Sequence, residues 1–303
     1  MKFNLKKIHI GVTILVCLIA VESIFFLFNR HKKNNIITQL TQERDLLSNE
    51  LQLNILASKL KVYDVEDTNG SLKMIRHGRE GDGGYVVPEV AFYKADVLLG
   101  YGICDDISFE EQFSDNYKKP SFGFDCAVET ITIKNPLCTL IRECITNTAN
   151  IYHYQKMVQA FSTYPEQIKK LKLEGKKVFI KMDVEGAEYE AFKDIYSHAH
   201  NITGIVLEMH FVRHKEVVLA NQLLTELSKY FYLVHIHGNN CVPENFEAIS
   251  ATGKIPKALE LTFINKSLVT KAKIAQNQKH PLPIDKENCP TKKPYDFEII
   301  AHK

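Results

Sequence analysis

Hydrophobic and polar positions divide the 303-residue chain into three regions. From Ile8 to Phe28 it reads IHIGVTILVCLIAVESIFFLF, an apolar run blemished by His9 and Glu22 near its ends. At about 1.5 Å per residue, a helix of that length crosses a bilayer. Lys2, Lys6 and Lys7 flank one side, and Arg30, Lys32 and Lys33 the other. The flanking charges balance, so they fix no orientation. No small-residue cleavage site follows, so residues 1–33 are expected to be an uncleaved, single-pass membrane anchor. Residues 34–63 are polar and read as a helical stalk. The apolar positions Ile37, Leu40, Leu47, Leu51, Ile55 and Leu60 follow a helical or heptad period only in part. A dimer through the stalk stays open as an option.

In the third region, residues 64–303, short apolar runs alternate with stretches of helical spacing. ADVLLGYG (95–102) reads as a strand, DDISFEEQF as a helix and PSFGFD as a strand ending on Asp125. CTLIRECI looks helical and NIYHYQ strand-like. PEQIKKLKLEGK reads as a surface helix, VFIKMD as a strand, and GAEYEAFKDIYSH as a helix with Ala187, Ala191, Phe192 and Ile195 inward. ITGIVLEMHF, FYLVHIHG, ALELTFIN and DFEIIAH are further strands, and 216–230 a helix. Such alternation predicts an α/β domain with a mostly parallel sheet covered on both faces.

Composition narrows the partners. A net charge of +2 with no basic block gives no reason to expect nucleic acid. The seven cysteines form no CxxC pair, and Cys138 and Cys144 match no zinc knuckle. They are expected to be buried free thiols in a reducing compartment.

In parallel sheets ligands bind beyond the carboxyl ends of the strands, where the strand order switches. The strand ends here are 100–106, Asp125, 183–186, 208–210 and 235–240, nearly all polar or glycine. Gly100 and Gly102 allow a tight turn and close backbone approach. Asp125 follows about 20 residues on, where an acid can accept from both hydroxyls of an unphosphorylated ribose. Asp105 and Asp106 at the helix start would repel a pyrophosphate but tolerate a sulfonium and an amino group. The sign of charge therefore favours S-adenosylmethionine over a dinucleotide.

VFIKMDVEGAEYEAF resembles the strand-four motif of FkbM-type methyltransferases, with Lys181, Asp183, Glu185, Gly186 and Glu188 all in place. REGDGGYVV, LLGYGICDDISFEEQF and LVHIHGNN resemble a bacterial branch of that family. The resemblance covers about 74–264. It implies a Rossmann-like methyltransferase fold: a seven-stranded sheet with one antiparallel strand near its end. It also implies that Gly100, Gly102 and Asp125 hold S-adenosylmethionine. Leu99 stands where many methyltransferases carry an acid, so Asp105, Asp106 or Asp82 would have to meet the donor's amino end.

Methyl transfer needs alignment and removal of a hydroxyl proton. Asp183, Glu185, Glu208, His210, His235 and His237 are the strand-end candidates; which is the base stays open. Asp183, Glu208 and His237 could instead hold a divalent ion. Glu185 and Glu188 also suit a helix N-terminus, and Glu190 a solvated face. The expectation is a membrane-tethered O-methyltransferase acting on a hydroxyl of a sugar or glycan-like acceptor, that substrate class coming from the family. Its catalytic domain would be cytoplasmic in a bacterium. A membrane-anchored glycosyltransferase and a non-catalytic scaffold of the same fold are the alternatives.

Overall fold

The computed structural model describes residues 30, 33–34, 37–45, 47–128, 131–151, 160–210, 214–241, 248–249, 253–276, 278–293 and 297–299. The apolar run at 8–28 and most of NIYHYQ lie outside these residues. Among the described residues no helix is long and apolar enough to cross a membrane. The chain divides into two compact units, 1–51 and 52–303. In the first, every described residue is helical.

The second unit is built on a sheet of seven strands: β1 (Val97–Tyr101), β2 (Ser121–Phe124), β3 (Cys138–Ile141), β4 (Val178–Met182), β5 (Ile202–His210), β6 (Phe231–Gly238) and β7 (Ala258–Asn265). Their spatial order is β3-β2-β1-β4-β5-β7-β6. Only β7 runs antiparallel to its neighbours β5 and β6. This is the mostly parallel sheet of a methyltransferase fold. The order reverses between β1 and β4, which pair in parallel from Val97–Val178 to Tyr101–Met182.

Both faces are covered, so the central strands are apolar throughout rather than alternating. One face carries Leu99, Tyr101, Ile180, Met182, Ile205 and Leu207. Helices α3 (Tyr164–Lys170), α4 (Glu188–Ile195) and α5 (His214–Tyr230) bury Ile168, Phe192 and Leu223 against it. The opposite face carries Leu98, Phe179 and Val206 beneath α1 (Glu89–Lys94) and α2 (Ser108–Tyr117), with Phe92, Phe109 and Phe113. A hairpin, Met74–His77 with Tyr85–Pro88, extends this cover. Its Tyr85 joins the aromatic cluster, and Thr262 of β7 donates to the Val86 carbonyl.

Local signals set the ends. Thr163 and Glu166 form a capping box at α3, satisfying donors a helix start leaves open. Lys118 ends α2 at φ 56°, in the left-handed region. DFEIIAH supplies the strand Phe297–Ile299, which pairs with Gln278–His280.

Two expectations fail. CTLIRECI is not helical: it splits into β3 and the strand Cys144–Thr146, which pairs with Phe161–Thr163. A short apolar run carries no period long enough to separate helix from strand, and pairing along β2 decides it. Nor are the cysteines all free. Cys126 bonds to Cys144, and Cys241 to Cys289; Cys104 and Cys138 are free thiols. The Cys241–Cys289 bond closes a stretch of 48 residues and holds the otherwise irregular 285–289 segment beside the end of β6. Replacing both cysteines with serine is expected to lower stability by about 2–4 kcal/mol in urea unfolding. Cys104→Ser, which closes no loop, should change it little.

Candidate active site

At the reversal of strand order, Gly102 leaves β1 at φ 77°. A Cβ there would stand 1.5 Å from the Asp183 carbonyl oxygen, so the ends of β1 and β4 meet as closely as backbone allows. Lys181, 5 % exposed, donates through Nζ to the Gly102 and Tyr101 carbonyls and ties the two ends together. Beyond Asp183 the chain turns through Glu185 at φ 52° and Gly186 at φ 97° into α4.

A cavity of about 620 Å³ opens over this junction. Gly102, Asp105 and Asp125 line it with Asp183 and Glu185; Val128, Ile145 and Phe161 supply apolar wall. Asp125 Oδ2 accepts from the amides of Ile103 (3.0 Å) and Cys104 (2.9 Å), and Oδ1 from Ala127 (2.7 Å). The carboxylate thus fixes the glycine turn itself, and about one of its four acceptor positions stays available. Asp106 does not reach a ligand position: it caps α2 through Ser108 and pairs with Arg79 at 3.3 Å. Asp105 stays at the wall.

Gly100 has a different job from the one expected. A Cβ on it would lie 1.8 Å from Glu110 Oε1, and Gly100 does not line the cavity. The glycine makes room for a carboxyl from α2 that is 1 % exposed and whose oxygens have no hydrogen-bond partner. Burial raises the Glu110 pKa from 4.5 to about 7, with Lys181 pulling it down.

On the α1/α2 face, Asp183 leads from the cavity into a chain of polar groups. Tyr85 donates its hydroxyl to Asp183 Oδ2 at 3.3 Å. Glu208 of β5 and Glu260 of β7 are register partners, 3 % exposed each. Burial first, then the neighbouring carboxylates, lift Glu208 well above its usual range. Glu260 rises to about 7 for want of water, although His237 opposes this. Asn239 donates to Glu208 Oε1 at 2.8 Å; Asn288 donates to Glu260 Oε1 at 2.6 Å and to Asp82 Oδ1 at 2.9 Å. Asp82 therefore belongs to this cluster and is not a cavity residue.

The histidines separate. His237 turns away from the cavity, with Nε2 against Asn288 Oδ1 (3.1 Å) and Nδ1 3.6 Å from Asp285, which also pairs with His235 at 2.8 Å. His210 lies behind the cavity-lining Glu185 and does not itself line the cavity, with Nδ1 3.4 Å from Glu188 and Nε2 3.5 Å from Glu185 and 3.6 Å from Glu208. Burial lowers its pKa, but Glu188, Asp183 and Glu185 outweigh it and the pKa is raised. Glu188 is fully buried, not a surface dipole partner: it accepts from the amides of His210 (3.0 Å) and Gly186 (2.7 Å). Glu190 accepts from Asn150 and Lys193 rather than facing water alone.

Asp183, Glu208 and His237 do not converge as a metal set. Among the described residues, the sets of three acids or histidines whose ligand atoms all lie within 4.8 Å of one another are Asp183, Glu185 and His210, and separately Asp82, Glu208 and Glu260.

Residues 95–234 match the family model described as the methyltransferase FkbM domain. No curated protein matches the chain. The FkbM match contains every residue lining the cavity, whereas Asp82, His237, Asn239, Glu260 and Asn288 lie outside it. Sequence reasoning missed Glu110, Glu260, Asp285 and Asn288. A lone acid inside the apolar ALELTFIN was a signal for Glu260; Asp285 and Asn288 sit in a segment with no period.

The buried Glu110 gives a pH test. Its folded pKa is raised, so its contribution to stability is present below 4.5 and lost as pH rises through about 7. Wild type is expected to lose stability relative to Glu110→Gln across that window, read by urea unfolding at several pH values.

Proposed function

We propose that the chain is an S-adenosylmethionine-dependent O-methyltransferase, tethered to a membrane by residues 1–33 and acting on a hydroxyl of a sugar or glycan-like acceptor. The cavity over the β1–β4 junction carries this reading. Its apolar wall suits an adenine, the remaining acceptor position of Asp125 a ribose hydroxyl, and Asp105 an ammonium group. These residues fit the donor, which when bound supplies an electrophilic methyl group on a sulfonium.

His210 is the base in this reading. Its imidazole lies within 4.8 Å of Asp183 and Glu185, which line the cavity, and the buried Glu188 carboxylate stands 3.4 Å from Nδ1. The imidazole takes the acceptor's hydroxyl proton as the oxygen bonds to the methyl carbon and the carbon–sulfur bond breaks. Asp183, held by Tyr85, and Glu185 stabilise the imidazolium that results.

A second reading rests on the approach of Asp183, Glu185 and His210 within 4.8 Å, an oxygen–nitrogen donor set suited to a divalent ion. The two disulfides support an oxidising compartment for the domain, against the cytoplasmic placement expected from the donor.

Labelled-methyl transfer to a panel of hydroxyl acceptors tests the function. His210→Asn is expected to lower kcat by about 10²–10⁴-fold with donor affinity preserved. Undiminished kcat would remove His210 as the base. Activity that survives exhaustive EDTA keeps that role; activity abolished by EDTA and restored by a divalent ion assigns the second reading.

A further inference from the structure

Among the described residues six large apolar side chains are exposed, and four of them fall within the first unit: Ile37 (51 %), Leu40 (58 %), Leu47 (67 %) and Leu51 (58 %). Their spacing is 3, 7 and 4 residues. With Arg44 in the gap it becomes 3-4-3-4, the alternation of heptad positions a and d. The other residues of 37–51 are polar except Leu46, at position c, so the apolar pattern is mainly a narrow seam rather than a broad face.

The structure also accounts for the imperfect period in the sequence. After residue 51 the apolar positions serve another surface: Leu56 (0 %) and Leu60 (2 %) are buried in the main core of the second unit, with Leu53 packed against it. Two patterns with different destinations adjoin at the unit boundary. The first is regular by itself.

We propose that residues 37–51 pair with the same residues of a second copy of this chain as a parallel, in-register, two-stranded coiled coil. Ile37, Arg44 and Leu51 occupy a; Leu40 and Leu47 occupy d. A β-branched residue at a with leucine at d favours two strands. Charge sets the direction. In a parallel pair each a residue packs beside the preceding g residue of the other chain, so Arg44 meets the partner copy's Glu43 across the seam. A single charged a residue fixes register at a cost in stability. Two heptads bury less than the roughly 1,200–2,000 Å² of a stable interface between soluble proteins, so the pairing is weak and reversible. Its effect is to bring two copies of the second unit together; the pairing does not depend on their activity.

The test is disulfide trapping in the full chain in detergent, in a background of Cys17→Ser, Cys104→Ser and Cys138→Ser. Leu40→Cys and Leu47→Cys place like residues face to face in a parallel pair, within reach of a disulfide. Gln42→Cys and Asn49→Cys lie on the outer f positions. Under mild oxidation the two d variants are expected to form covalent dimers about tenfold or more faster than the two f variants, because the sulfurs bridge only when Cβ atoms come within about 4.5 Å. Equal rates at all four positions, or no dimer at either d position, would overturn the proposal. The second result would also be obtained if the seam lay against lipid or if an antiparallel pair formed.

Discussion

Everything in the second unit is arranged around the close approach of Gly102 to the Asp183 carbonyl. No side chain fits between them. Because β1 and β4 end there together, the loops beyond them diverge and leave a cavity at the reversal of strand order. Lys181 holds the junction from inside the sheet by binding two β1 carbonyls. Asp125 holds it from outside by binding two amides of the turn. A cation on one side and an anion on the other thus fix a loop with few side chains of its own.

The same junction divides the site chemically. On the cavity side the wall is largely apolar, with acids, among the described residues, only at Asp105, Asp125, Asp183 and Glu185. On the α1/α2 side, acids are buried close enough to raise one another's pKa values, and amides rather than cations satisfy them. Asp183 takes part in both. The family match stops at the same division, since it covers the whole cavity and leaves most of the acidic cluster outside.

The sheet was legible where strands were long and apolar. VLLGY, VFIKM, ITGIVLEMH and ALELTFIN each stand between polar or glycine ends. β3 was not legible, because its four residues gain strand character only from pairing with β2. The site was half legible. Gly102, Asp125 and Asp183 announce themselves as the ends of strands. Gly100 looked like part of the same turn, but its missing side chain answers to Glu110, ten residues later on another element. Asp285 and Asn288 depend on a disulfide that links them to β6 across the fold, and sequence spacing holds no record of that contact.

The central claim is that the cavity over the β1–β4 junction holds the methyl donor. Calorimetric titration of the full chain with S-adenosylmethionine, alongside Asp125→Ala and Asp183→Ala, tests it most directly. The account predicts micromolar binding by wild type, a loss of about tenfold or more in Asp125→Ala, which removes a charge-assisted contact and loosens the turn, and a smaller loss in Asp183→Ala. Binding that is undiminished in Asp125→Ala, or absent from wild type, would contradict it.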